Sequence, residues 1–395
     1  MDRTRQAEDY GTGGWRMKIR FFVLYLLVLL LLLPACSTAP DSSSNQNEMD
    51  IEESTTEDSQ DDPGLNLLFI GSGQANLKRR GWSDYYPTTF GVNVAPGDQI
   101  YPAAESEIFV LCANLDRWDV PAGMPSGLSN GCDTESEPVL VRESGNIGTT
   151  RGGDQSYNIP YIINPRGSRL MDTTPLLQWH TVSDTSSYHV RIQGGDIDWE
   201  VDVSGSSLEY PGDVPLSPGE TYLLVVEADN GRSSLEENVP GLGFSILPPV
   251  EAVELESSLS SLEVLDLPPE AEEFVLAQVL IRHQLLAEAQ QVLLELAEQP
   301  GLRPAVNQTL GDVYLQTGLY YYAEDQFLQA ADMFTSLGDV EGQALAYSKL
   351  GETYRMLGNN ALAIDSFKEA EARLEILGDE ASIKAVQEKL AELTP

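Results

Sequence analysis

Three histidines, three cysteines, one glycine-rich turn and one run of alternating carboxylates are the residues of this 395-residue chain whose types and spacing bear on chemistry. His180, His189 and His283 stand far apart, in segments of different pattern, so neither a hydrolytic triad nor a histidine metal cluster assembles from them, and each reads as structural. Gly71-Ser72-Gly73 follows an apolar run, but no Gly-Lys-Ser/Thr succeeds it, and phosphate binding is not expected. From Asp196 to Asp202, strand alternation puts Asp196, Asp198, Glu200 and Asp202 on one face and Ile197, Trp199 and Val201 on the other. Carboxylates spaced about 7 Å apart along a strand do not chelate one calcium ion without ligands from elsewhere. A solvated face is therefore expected in preference to an ion site or a docking stripe. No catalytic, metal or cofactor residue is assigned, and no enzymatic activity is expected. An enzyme of the cell wall would need a deep cleft with strongly perturbed acids.

The N-terminal elements decide where the rest must work. Arg16, Lys18 and Arg20 precede a continuous apolar run of 13 residues, Phe21 to Leu33, too short to span a bilayer comfortably and shaped like the core of a cleaved signal. Leu33-Pro34-Ala35-Cys36 closes it. This stretch resembles the lipobox of bacterial lipoproteins at Leu33, Ala35 and Cys36, with Pro34 an uncommon residue at the second position; a plain secretory signal or an anchor helix is the competing reading. The resemblance implies thioether lipidation of Cys36, cleavage before it, and an extracytoplasmic mature chain. Ser37 is not the Asp-type retention residue, which points to the outer membrane where there are two. Met17 would make a conventional start, with residues 1–16 upstream of it. Residues 37–63 hold nine Asp or Glu and no Lys or Arg, the composition of a disordered tether.

Charge excludes whole classes of partner. With 62 acidic residues against 23 basic ones, and a net charge of -39, the chain lacks the clustered cations that neutralise phosphates, so DNA and RNA are not its ligands. The same charge repels anionic head groups, which leaves acyl chains on Cys36 as the means of membrane attachment. Once Cys36 is committed to lipid, Cys112 and Cys132 remain as an even pair in an oxidising compartment. A disulfide is expected there, against a reactive thiol or a metal pair for which two further zinc ligands are lacking nearby.

Between Leu65 and Ile163, short apolar runs broken by Gly, Pro and Asn signal an all-β domain. Strands are predicted at Leu67 to Ile70, Phe90 to Val94, Gln99 to Tyr101, Glu107 to Cys112 and Arg117 to Val120, with a turn at Pro96-Gly97-Asp98. Phe90-Gly91, Val94, Gly97-Asp98 and Ile100, followed by Glu107 to Leu111, resemble the FecR-type β-domain of bacterial envelope proteins. The longer run from Arg80-Gly81-Trp82 through Trp118 and Val120-Pro121-Ala122-Gly123 to Cys132, with the repeats further on, resembles a group of cyanobacterial tetratricopeptide-repeat lipoproteins. From Pro165 to Leu247, Leu176, Trp179, Tyr188, Val190, Ile192, Trp199, Val201, Tyr222, Leu224, Val226 and Phe244 recur at strand spacing and predict a β-sandwich. Leu216-Ser217-Pro218-Gly219-Glu220-Thr221-Tyr222 resembles the fibronectin type III family, which implies a Tyr222 hydroxyl reaching back to the preceding loop and an adhesive or spacer role. Val250 to Asp266, with five acidic residues and no basic one, reads as a hinge.

Helical repeats end the chain. Leu276-Ala277, Leu310-Gly311 and Leu350-Gly351 recur after 34 and then 40 residues. At fixed offsets follow Ala289, Ala323 and Ala363, then Leu293, Phe327 and Phe367, then Leu296, Ala330 and Ala370. Small residues let two helices approach closely where they cross, and bulky ones fill the gap to the next pair. The pattern from Pro269 to Asp379 resembles the tetratricopeptide repeat. The 40-residue copy is similar to the lengthened form in scaffold proteins of the Leu-Gly-Asn type, and the first copy departs where Leu280 replaces the Tyr found at 314 and 354. Glu380 to Leu393 reads as a capping helix.

The resulting expectation is a multidomain chain, β then α: signal 1–35, lipidated tether 36–63, FecR-like domain 64–163, fibronectin type III or Ig-like sandwich 164–247, hinge 248–267 and tetratricopeptide solenoid 268–395. The repeat resemblance implies a concave groove for a protein or peptide partner, carried by Gln278, Arg282, Gln308, Asp312, Gln316, Ser348, Glu352 and Arg355, unless these are merely solvated helix faces. The Lys and Asn set that clamps a C-terminal carboxylate in some chaperone-binding repeats is missing. The function expected is a lipid-anchored scaffold whose β-modules raise the repeats from the membrane; the alternative is an envelope sensor that binds a cell-wall or protein ligand through residues 64–163.

Overall fold

The computed structural model describes residues 64–133, 136, 138–140, 158–237, 243–301 and 303–393. The signal, Cys36 and the acidic tether lie outside the described residues. Among the described residues, no helix is long and apolar enough to cross a membrane.

The first β-domain is built from β1 (Leu67–Ser72), β2 (Ala75–Lys78), β3 (Tyr86–Thr88), β4 (Val92–Asn93), β5 (Gln99–Pro102), β6 (Glu107–Leu111) and β7 (Arg117–Asp119). They form two sheets, ordered β4-β1-β6-β7 and β3-β2-β5. Leu68, Leu77, Val94, Ile100 and Val110 are buried together as the core. β2 and β3 escape the hydrophobic pattern because Asn76, Lys78 and Pro87 interrupt it. A disulfide joins Cys112, just after β6, to Cys132, with Cα atoms 5.5 Å apart. Alternation sends Phe69 and Phe109 to the opposite face of the first sheet, where their rings stack at 5.1 Å. That face is covered as well, which is why the runs Leu67 to Ile70 and Ile108 to Leu111 are apolar at every position.

The second β-module comprises β8 (Ile162–Asn164), β9 (Arg169–Leu170), β10 (Leu176–Trp179), β11 (Tyr188–Gly194), β12 (Ile197–Val203), β13 (Ser207–Glu209), β14 (Thr221–Ala228) and β15 (Phe244–Ile246). Its sheets, β13-β10-β8 and β12-β11-β14-β15-β9, enclose Trp179, Tyr188, Val190, Tyr222 and Phe244. The boundary expected at residue 163 lies earlier, since β8 pairs with β10 and Ile162 belongs to this core. The Tyr222 hydroxyl accepts a hydrogen bond from the Ser217 N–H at 2.8 Å. On the outer face, Asp198 pairs with Arg191 at 2.7 Å and Asp202 bonds to His189 at 2.9 Å, so two of the alternating carboxylates are held by side chains on β11.

The acidic segment read as a hinge is instead α1 (Pro249–Glu263). Pro249 opens it, and Leu255 and Leu262, two turns apart, give it a buried stripe that charge density alone does not reveal. The helices that follow are α2 (Pro269–Arg282), α3 (Leu286–Glu298), α4 (Pro304–Gln316), α5 (Tyr320–Leu337), α6 (Val340–Met356), α7 (Asn360–Leu377) and α8 (Glu380–Leu393). Gly338 ends α5 in the left-handed region at φ 72°, and the Asp339 carboxylate at once caps α6 by accepting from the Gly342 N–H at 2.8 Å. Gly378-Asp379 repeats the device between α7 and α8. Ala289, Ala323 and Ala363 are fully buried at the crossings, as are Leu293, Phe327 and Phe367.

The two β-modules do not form an arm below the repeats. Arg166 of the sandwich donates to the Thr317 carbonyl at 2.6 Å, and the Met171 N–H donates to Glu288 at 2.8 Å. Phe90 of the first β-domain meets Phe274 of α2 edge to face at 5.4 Å. Apolar surface and buried polar groups at these junctions need the helices to cover them, so all three parts pack together.

Candidate functional site

Helices stacked in antiparallel pairs leave their first members, α2, α4 and α6, on the concave side. Gln278 and Arg282 from α2, Gln308, Asp312 and Gln316 from α4, and Ser348 from α6 line one cavity of about 740 Å³. Glu352 lies beside this lining rather than in it, engaged by Lys349 at 3.9 Å and by Lys389 of α8. Arg355 is exposed, beyond the lining. Ser382, Ala385, Val386 and Lys389 of α8 close the far end.

The opposite wall is not solvent. Leu65, Leu67, Arg79, Gly91, Val92 and Asn93 of the first β-domain face the solenoid across the cavity. Three polar contacts fix that wall: the Thr89 hydroxyl donates to Asp339 at 3.0 Å, Tyr86 donates to the Ile376 carbonyl at 2.6 Å, and Arg79 pairs with Glu341. Gly91 is needed at its position, because a Cβ there would stand 2.9 Å from both the Ala305 side chain and the Phe274 ring.

Electrostatics inside the cavity are locally balanced. Arg79 donates to Asp98 at 2.6 Å in addition to pairing with Glu341. Lys349 pairs with Asp312 at 2.9 Å, Lys389 with Glu352, and Arg282 donates to the Val139 carbonyl. Burial pushes the Asp339 carboxyl up to about 6, against the hydrogen bonds that favour its ionised form. Burial also raises Glu341, with Arg79 opposing. One polar side chain stands apart from this balance: Gln308 is 5% exposed, and neither its amide oxygen nor its amide nitrogen has a partner among the described residues.

Residues 303–376 match the tetratricopeptide repeat family. No curated protein matches the chain. Among solved structures, the chain is similar to BtubC from P. vanneervenii at 16% identity, over 36% of this chain and 63% of that one, with a TM-score of 0.32. It is similar to nearly identical TPR-like repeats from Podosopora anserina at 17% identity, over 36% and 78%, TM-score 0.31. MamA gives 18% identity over 36% and 92%, TM-score 0.27.

Of the groove residues expected from the sequence, helices α2, α4 and α6 bring Gln278, Arg282, Gln308, Asp312, Gln316 and Ser348 together and leave Glu352 and Arg355 outside the lining. The sequence pattern misses Lys349 and Lys389, which neutralise the carboxylates, and the whole β wall of Arg79, Val92 and Asn93. The unbroken apolar run Leu67 to Ile70 signals a strand covered on both faces, without indicating what covers it. The histidines stay separate: His180 stacks on Tyr161 at 4.6 Å, His189 is on the sandwich surface, and burial lowers His283 at the end of α2. Among the described residues, no group of three or more His, Cys, Asp or Glu is placed to hold a metal ion.

Proposed function

We propose that the chain is a lipid-anchored, extracytoplasmic scaffold that holds a protein partner in the concave face of its repeats and makes or breaks no bond there. One observation carries the reading: polar side chains from three successive first helices converge on a single cavity of about 740 Å³. The tetratricopeptide match over residues 303–376 supports a protein-binding role. The lipobox-like Leu33-Pro34-Ala35-Cys36 and the acidic stretch after it support anchoring through Cys36. We read the first β-domain as FecR-type and the sandwich as fibronectin type III or Ig-like, the second supported by the Tyr222 to Ser217 hydrogen bond, in a cyanobacterial-type lipoprotein. The sensor reading, with a ligand on residues 64–163, draws support from Val92 and Asn93 facing the same cavity.

Co-purification tests the scaffold. Tagged full-length chain, extracted from envelopes in detergent, is compared with a Ser348→Trp variant that fills the cavity. A partner present with the first and depleted about tenfold with the second is expected; identical protein sets contradict the reading. Cys36→Ser tests the anchor, since loss of the lipid should move the chain from the membrane fraction to the soluble one.

A further inference from the structure

We infer that the cavity is a two-walled peptide site, in which an uncharged extended segment of the partner is held between β4 and the first helices α2, α4 and α6. The inference deepens the scaffold reading and rests on it. Three observations carry it.

The first is Gln308. A buried amide left without partners costs more than a hydrogen bond returns, so such a group persists only where something else justifies it. Its free donor and free acceptor, side by side, match the acceptor and donor of one peptide unit. The second is charge. Each lining cation already has a partner within the protein: Arg79 has Asp98 and Glu341, Lys349 has Asp312, Lys389 has Glu352, and Arg282 has the Val139 carbonyl. A carboxylate entering the cavity would have to displace one of these partners, and a cation would meet only one lining acid outside an ion pair, Asp379, whose carboxylate already accepts from the Ser382 N–H and hydroxyl. An uncharged segment breaks nothing. The third is the wall. β4 is the edge strand of its sheet, and Val92 and Asn93 line the cavity. An edge strand offers main-chain groups to an added peptide.

The β-domain is then a wall of the site and not a lid displaced by the partner. Phe69 and Phe90 pack on Phe274, and Thr89 and Tyr86 bond to the solenoid outside the cavity lining.

The test is affinity selection on detergent-solubilised full-length chain. The probe is a library of short N-acetylated, C-amidated peptides made only of uncharged residues, with a second library ending in free acidic carboxylates. Uncharged peptides should be retained, and Gln308→Leu should weaken them at least about tenfold. Because Gln308→Leu removes a buried unpaired amide, it should also raise the Tm of the free chain, an outcome that separates a ligand-directed amide from one that merely supports the fold. The double variant Thr89→Val/Tyr86→Phe loosens the wall without touching the lining, and it should weaken retention too. Tighter retention by this variant would make the β-domain a competitor and overturn the inference. So would retention of only the acidic library, retention unchanged by Gln308→Leu, or self-association of the chain through the same residues. If the peptides fail while Ser348→Trp still removes a protein from envelope co-purification, the two-walled site falls and the scaffold reading stands.

Discussion

The Thr89 hydroxyl donates to the Asp339 carboxylate at 3.0 Å, so a loop of the first β-domain is bonded to the residue that caps α6. The same carboxylate accepts from the Gly342 N–H at 2.8 Å, which makes one buried acid serve both the helix start and the junction between domains. Both hydrogen bonds favour the ionised form, and burial, which pushes the group up to about 6, outweighs them.

Thr89→Val should therefore do two things. It should cost about 1 kcal/mol of stability, the usual net worth of one hydrogen bond. It should also raise the Asp339 titration further, because a donor to the carboxylate is lost. Carbon-detected NMR titration of the side-chain carboxyls checks the second effect, and a Tm shift at neutral pH checks the first; an unmoved Asp339 titration would contradict this geometry.

Glu288 gives a pH dependence of definite sign. It accepts from the Met171 N–H at 2.8 Å, and burial raises it from 4.5 to about 7. The folded chain then holds a proton that the unfolded chain sheds above 4.5, so stability falls as pH rises from about 4.5 through about 7. The contribution is on the order of 3 kcal/mol across that window. Glu288→Gln keeps an acceptor for Met171 and cannot ionise. Chemical denaturation at pH 5 and pH 8 should show a smaller difference for the variant than for the parent chain.

Gly311 and Phe327 test the repeat packing. A Cβ on Gly311 would lie 2.5 Å from the Phe327 ring, and Gly351 stands in the same relation to Phe367 at 2.6 Å. In the first copy, Ala277 takes the glycine position and Leu293 the ring position, so a larger residue on one helix goes with a smaller one on the other. Gly311→Ala alone should cost about 1–3 kcal/mol by overpacking. Adding Phe327→Leu should recover part of that loss, and a double-mutant cycle by thermal unfolding measures the coupling. Strict additivity would contradict the packing.

This pairing also shows what the chain made legible. The repeat register could be read because crossing points demand small residues at fixed offsets, a local rule that survives without knowledge of the rest. The strands at Leu67, Gln99, Glu107 and Arg117 were legible for a similar reason, in that their apolar runs are bounded by turns. The helix at Pro249 was not, since only Leu255 and Leu262 are buried on it and its acidic residues dominate the composition. The β wall of the cavity was not legible as a wall either, because Val92 and Asn93 lie more than 180 residues before Gln278 and nothing local links them. Lys349 and Lys389 were missed because ion pairs between helices depend on which faces meet, which spacing within one helix does not fix.

The disulfide should hold the first β-domain together. Cys112 and Cys132 are buried in its core at a separation of 20 residues. Opening a loop of that length costs about 3 kcal/mol in the chain-entropy account. Cys132→Ser, or the parent chain in reductant, should lose stability of that order, read as a lower unfolding midpoint. Equal midpoints with and without reductant would contradict it.

The most direct measurement of the central claim is photo-crosslinking in living cells with a benzophenone side chain placed at Gln316, inside the cavity lining, and separately at the exposed Leu328 of α5. The account predicts one protein adduct from position 316 that is absent from position 328 and is lost when Ser348→Trp fills the cavity. The same adducts from both positions, or an adduct at 316 that survives Ser348→Trp, would contradict it.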